Sequence, residues 1–142
     1  MRRVWSILCV LMVALAAAPA APAEPTLAVI VHPARATALG LQDVARIYLG
    51  QRRFWEGGEA IVAINRESGG AAREHFSERA LGQTSQQFAA YWNEQYFHGI
   101  FPPATLTSSA AVKRYVATNR NAIGYIEASD VDDSVRVVLR IP

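Results

Sequence analysis

Arg66-Glu67-Ser68-Gly69-Gly70-Ala71-Ala72-Arg73-Glu74-His75-Phe76 is the stretch of sequence that decides the fold. It follows Ala60-Ile61-Val62-Ala63-Ile64, an apolar, partly β-branched run that reads as a buried strand. After the two glycines, Ala72, Phe76 and Ala80 recur at helical spacing, and Gly82 supplies a stop. Strand, glycine turn and helix in this order are the repeating unit of an α/β layer. The first N–H groups of such a helix have no intrahelical acceptor, and its N-terminus carries about half a positive charge. That combination suits a small anion. Two arginines bracket the turn, and their planar forks of donors match oxyanions. Arg66, Ser68, Gly69, Gly70, Ala71 and Arg73 are therefore the candidate anion-binding residues. Ser68 also reads as the N-cap of the Ala71 helix. The plainer alternative is that the turn only joins a strand to a helix.

Outward from this stretch the chain alternates between the two periodicities. Thr26 to Val31 reads as a buried strand ended by His32-Pro33, and Leu41 to Leu49 as a short helix stopped by Gly50. Thr84 or Ser85 caps a longer helix whose stripe runs through Phe88, Ala89, Trp92, Tyr96 and Phe97. Amphipathic helices bury such stripes, so Trp55, Trp92, Tyr96 and Phe97 are expected in the core. Phe101-Pro102-Pro103 opens an irregular connection, and Thr107-Ser108-Ser109 caps a further helix carrying Val112, Tyr115 and Val116. Ala122 to Ile126 and Val135 to Ile141 read as strands. In the latter, Val135, Val137 and Leu139 share one face. Gly124 reads as a strand glycine that lets another backbone approach. The expected fold is α/β, a central mixed sheet flanked by helices.

The first 23 residues have another character. Arg2 and Arg3 precede an almost unbroken apolar run from Val4 to Ala18, and Ala21-Pro22-Ala23 offers a small-residue cleavage site, with Ala18-Pro19-Ala20 as second choice. This is the pattern of a secretory signal peptide cleaved near Ala23. The run is shorter than the roughly 20 apolar residues a membrane-spanning helix needs. Residues 24–142 are then one domain, the size at which an ordinary core suffices without staples. Cys9, the single cysteine, lies in the apolar run, so no disulfide framework supports that domain. An export signal without cysteines points to a bacterial periplasm, with secretion beyond it as the alternative.

Charge and spacing exclude several functions. With Arg2 and Arg3 set aside, the 14 basic side chains fall to 12, matched by 12 acidic ones. A neutral domain has no basic stripe for nucleic acid and no polybasic run for a membrane surface. His32, His75 and His98 lack metal-ligand spacing. Ser68, Ser108 and Ser109 lack a Gly-x-Ser-x-Gly context, and Glu67 with Glu74 makes no acid–base pair without a pocket. No enzyme activity, metal or cofactor is expected.

The motifs in series resemble a known family. Leu41 to Gly50 with Trp55 and Gly57 looks like the "helix, then Leu-Gly, then Trp" stretch of the phosphate-binding proteins of ABC transporters. Arg66 to Phe76 resembles their Arg-x-x-Gly-Ser-Gly-Thr-Arg-x-x-Phe segment. Tyr91-Trp92 with Phe97-x-Gly99 resembles the helix end that follows, and Asn121-Ala122-Ile123-Gly124-Tyr125 resembles their Gly-Ala-Ile-Gly-Tyr hallmark. The resemblance implies a type II periplasmic-binding-protein-like fold and a solute-binding role toward a phosphate-like oxyanion, with an ABC permease as partner. It also shows two departures. Family members have two lobes, and this chain supplies about one. Where they carry Gly-Ser-Gly-Thr, this chain carries Gly69-Gly70-Ala71-Ala72, without either hydroxyl. A degenerate, non-transport accessory module that contacts another envelope protein is the alternative implied. In either reading a homodimer would rebuild a two-sided cleft.

Overall fold

A computed structural model describes residues 17–20 and 26–142. The signal-peptide expectation falls on residues 1–23, outside the described residues apart from 17–20. Among the described residues no helix is long and apolar enough to cross a membrane.

Five strands and four α-helices follow one another as β1 (Leu27–Val31), α1 (Leu41–Tyr48), β2 (Val62–Arg66), α2 (Ala71–Leu81), α3 (Ser85–Tyr96), β3 (Ala104–Leu106), α4 (Ser109–Thr118), β4 (Ala122–Glu127) and β5 (Arg136–Ile141), with a 3-10 turn at Ala128–Asp130. They form one mixed sheet in the order β3-β2-β4-β1-β5. β2 runs parallel to β3 and β4, and β1 runs antiparallel to β4 and β5. The sheet is mixed, as the sequence leads one to expect.

β1 lies near the middle and is buried on both faces, which explains its unbroken apolar run. Leu27, Val29 and Val31 face one core with Val44, Tyr48 and Phe76 from α1 and α2. Ala28 and Ile30 face the other with Val112 and Val116 from α4. In the first core the rings of Phe76 and Tyr125 stack with centroids 3.9 Å apart, and Tyr48 meets both edge-on. The Tyr48 hydroxyl donates to the Ile64 carbonyl at 2.9 Å, so its polar end is satisfied. On the opposite face α4 lies so close that a Cβ on Gly124 would come within 2.5 Å of Val112 Cγ1. Gly124 therefore admits the valine side chains of α4, not the backbone expected to approach a strand glycine.

Several expectations need correction. β3 stands in the connection read as irregular. β2 begins and ends two residues later than expected. In β5 the simple alternation fails: a register shift opposite Val29 and Ile30 lets Val138 and Leu139 pack on the first core while Val137 packs on the second. Trp55 and Trp92 are core, but Tyr96 and Phe97 are exposed. α3 packs chiefly on α2; Phe88, beside Arg73 of α2, and Trp92, against Gly50, are its buried residues, and its last turn carries Tyr96 into solvent.

Candidate anion site

β2 ends at Arg66 and β4 at Glu127, and β3 is followed directly by Thr107. These parallel strands present their carboxyl ends together, the position at which α/β sheets hold ligands. The Glu67 N–H donates to the Leu106 carbonyl at 3.2 Å and keeps the two chain exits side by side. Each exit then turns into a helix, α2 after β2 and α4 after β3. The space beyond is a cavity of about 190 Å³ whose wall includes Arg66, Ser68, Gly70, Ala71, Arg73, Thr107 and Glu127.

The turn into α2 is made by Gly69 at φ +87°, a left-handed conformation that favours glycine. Gly70, not Ser68, is the N-cap, and no side chain caps α2. The expected capping role of Ser68 is thus overturned: the left-handed Gly69 turn interposes two residues between Ser68 and the helix. Ser68 instead lines the cavity. The first-turn amides of α2 are left for solvent or ligand. By contrast α4 is capped, Ser108 accepting from the Ala111 N–H at 3.1 Å.

The two arginines have different surroundings. Arg66 Nη1 donates to Ser109 Oγ at 2.9 Å and to Glu127 Oε2 at 3.1 Å, and Ser109 Oγ also bonds Glu127. Burial alone would push the Glu127 carboxyl up. Hydrogen bonds from Ser109, its own backbone N–H and Arg66, with the nearby guanidinium charge, hold it below the ordinary glutamate value instead. Arg73 Nη1 donates to the Arg66 carbonyl, and its guanidinium lies 5.7 Å from the Phe88 ring centroid, within cation–π range. Nε of Arg66 and Nε of Arg73 are both buried without a protein acceptor.

Behind Arg66, Asn65 and Tyr125 fix the strand end. The Arg66 N–H meets Asn65 Oδ1 at 2.9 Å and the Tyr125 hydroxyl at 3.2 Å, and that hydroxyl donates to Asn65. Burial pushes the Tyr125 phenol up to about 12, so it stays a protonated donor. The structure thus gathers Arg66, Ser68, Gly70, Ala71 and Arg73 around one cavity, with Gly69 making its turn. Thr107 and Glu127 join them in the wall, and Ser109 bonds Arg66; local pattern gave Thr107 and Ser109 only to a helix cap and gave Glu127 no role. Among the described residues no group of His, Cys, Asp and Glu is arranged to hold a metal.

No family model matches the chain, and no curated protein matches it in sequence. Solved structures do. An ABC-type phosphate transport receptor from Vibrio cholerae superposes with TM-score 0.64 at 23% identity, over 81% of this chain and 46% of that one. A structure from Clostridium perfringens, described as a phosphate ABC transporter substrate-binding protein with bound phosphate, gives TM-score 0.64 at 30% identity, over 81% and 45%. PstS from Borrelia burgdorferi gives 0.62 at 17%, over 80% and 46%. The fold is a single periplasmic-binding-protein-like lobe. The chain resembles phosphate ABC transporter substrate-binding proteins and spans less than half the length of these matched structures. The match bears out the family resemblance and the single-lobe form.

Proposed function

We propose that this protein is an exported, periplasmic, non-catalytic solute-binding protein that takes a small oxyanion of the phosphate class between the start of α2 and Arg66. The uncapped N-terminus of α2, opening on a cavity beside Arg66, carries this reading. The amides of the first turn supply donors and partial positive charge. Ser68 and Thr107 add hydroxyls at the wall, where the family's Ser and Thr are replaced by Gly70 and Ala72. The names of the matched structures, one of them holding phosphate, support the ligand class. An ABC permease would be the onward partner.

Calorimetric titration of the purified protein with phosphate and with sulfate tests the reading. Saturable heat and a thermal shift with phosphate, lost in Arg66→Met, are expected. No heat and no shift at millimolar anion would overturn it.

One observation favours a second reading, an accessory module of the cell envelope. Arg66 Nη1 is already engaged by Glu127 and Ser109, so part of the cationic wall is neutralised from within. A silent titration together with specific retention of one envelope protein on the immobilised chain would favour that reading.

A further inference from the structure

At the other end of β4 from the anion cavity, three connecting segments border a second recess. Residues 34–36 lie beyond the end of β1, Glu59 precedes β2, and Arg120 and Asn121 lead into β4. The recess has a volume of about 490 Å³ and is lined by Ala34, Arg35, Ala36, Glu59, Arg120 and Asn121. Arg35 is held there from several sides. Its guanidinium lies 4.2 Å from the Trp55 ring centroid, Nε donates to the Arg120 carbonyl at 2.9 Å, and Nη2 donates to Asn121 Oδ1 at 2.9 Å. Trp55 is itself fixed, its Nε1 donating to the Asn121 carbonyl at 3.1 Å. Stacking and two hydrogen bonds remove the side-chain freedom that binding would otherwise cost. Nη1 has no acceptor among the described residues, so one edge of the fork is left over.

The charge here is unbalanced. Arg136 Nη1 donates to the Arg35 carbonyl at 3.2 Å, which brings a third arginine to Arg35 and Arg120. Among the described residues no carboxylate pairs with any of the three. Glu59 is the one acid in the wall, but its carboxylate lies over Gly57, where an added Cβ would come within 2.5 Å of Oε2. Like charges gathered without a counter-charge repel, and a bound anion removes that repulsion. The available donors identify the anion. The Ala34 N–H donates to His32 Nδ1, the Arg35 N–H to the His32 carbonyl and the Asn121 N–H to Asn119 Oδ1. These amides are engaged, unlike those that open α2, and the guanidinium groups are what remains. One guanidinium edge satisfies both oxygens of a carboxylate. The further oxygens of a tetrahedral anion would find none of these amides free.

We infer that this recess binds a small dicarboxylate, one carboxylate on the open edge of Arg35 and the other on Arg120. Both arginines stand in one wall, and a single carboxylate would leave one of them bare. The small side chains of Ala34 and Ala36 leave room for the carbons between the two acid groups. The recess is at the amino end of β4 and the anion cavity at its carboxyl end, so both can be filled together. Dicarboxylate binding here is independent of phosphate binding there.

Isothermal titration of the purified protein with succinate is the test, repeated with acetate and again with saturating phosphate present. The expected result is saturable succinate binding with Kd on the order of 1 mM or tighter, about tenfold weaker binding of acetate, and no change with phosphate. Arg120→Gln alters an exposed side chain that has no protein partner among the described residues. It should weaken succinate binding about tenfold and leave the melting temperature in place. Glu59→Gln, which removes the one acid of the wall, should tighten it about threefold. No heat with succinate at about 10 mM, acetate bound as tightly, displacement by phosphate, or indifference to Arg120→Gln would each overturn the inference. Much tighter binding of a hexaglutamate peptide would also overturn it, in favour of acidic side chains of a protein. Succinate binding in a chain that gives no heat with phosphate would uphold this site and remove the phosphate reading.

Discussion

Arg66 and Glu127 close adjacent parallel strands, β2 and β4, with an ion pair of 3.1 Å that forms part of the anion cavity's wall. The side chain of Arg66 is the less exposed partner, at 14% against 34%. Its guanidinium is thus held toward the cavity by a group of the same sign as the proposed ligand, so the pair bears on anion affinity and on stability at once.

Glu127→Gln should tighten phosphate binding. The substitution keeps a polar contact with Ser109 and removes one negative charge from the cavity wall. A unit charge at this range, partly screened, changes affinity on the order of tenfold. Isothermal titration of the two proteins at one ionic strength and pH measures the difference. Unchanged or weaker binding would mean that the carboxylate accepts from the ligand or lies outside its reach.

Removing the cation has a different signature. Arg66→Met should abolish measurable anion binding and also lower stability by about 1–2 kcal/mol, because Glu127 and Ser109 lose their charged donor at a partly buried site. Adding Glu127→Gln to that variant should recover about half of the stability loss, on the scale of a single charge-assisted hydrogen bond, and none of the binding. Chemical denaturation gives the stability cycle, and titration gives the binding. Recovery of both would place Arg66 in a purely structural role.

The pH dependence follows from the direction of the Glu127 shift. Its folded carboxyl sits below the ordinary value of 4.5. Ionised Glu127 therefore stabilises the fold above that value, and the contribution disappears as pH falls through the folded value. Asp132, held at about 2 by hydrogen bonds from Lys113 and Ser134, acts in the same direction lower down. The melting temperature should fall on acidification from pH 5. The gap between parent and Glu127→Gln should narrow as Glu127 protonates, since the two side chains then carry the same charge. A gap that widens in acid would contradict the ion pair.

Much of this architecture was readable along the chain. α2 is found with both ends in place, because Gly69-Gly70 opens it and Gly82, at φ +64°, ends it. β1 and β4 are found because strands buried on both faces are unbroken apolar runs. β3 escapes because Ala104, Thr105 and Leu106 are too few to show alternation. Only their parallel pairing with Ile64, Asn65 and Arg66 makes them a strand. Tyr96 and Phe97 continue a helical stripe that looks buried, but periodicity says nothing about where the supporting surface ends. The arginines and the glycine turn of the site stand together in sequence. Glu127 and Ser109 reach them only through strand order, and a carboxylate 61 positions beyond Arg66 has no local signal.

Gly124 should not tolerate a side chain. An added Cβ would meet Val112 Cγ1 at 2.5 Å and Val116 Cγ2 at 3.3 Å. α4 must then move away from the sheet or its valines must leave their rotamers. Overpacking of this sort costs about 1–3 kcal/mol, more than the backbone entropy alanine returns in a strand. Gly124→Ala should therefore lower the denaturation midpoint, and Gly124→Val should lower it further. Trimming the helix with Val112→Ala in the Gly124→Ala background should recover part of the loss. Equal stabilities across this set would mean that α4 packs more loosely than the contact distances indicate.

The two glycines before α2 should respond in opposite ways. Gly69 is left-handed at φ +87°, and a Cβ there would have no neighbouring atom within 4 Å, so alanine meets backbone strain and not a clash. That strain is about 1 kcal/mol, and relaxing it would turn the first amides of α2 away from the cavity. Gly70 has φ −89° and ψ 148°, an extended conformation open to any residue, and its Cβ would only touch the Glu67 carbonyl at 3.8 Å. Serine at that N-cap would also restore the hydroxyl found at the matching place in the phosphate-binding family. Gly70→Ser should hold or raise stability by a few tenths of a kcal/mol and tighten phosphate binding about tenfold, the value of one hydrogen bond to a charged ligand. Gly69→Ala should lower both. Thermal melts and titrations on the two variants decide the matter. A Gly70→Ser protein that gains stability without affinity would show that its hydroxyl caps α2 and that the ligand lies elsewhere.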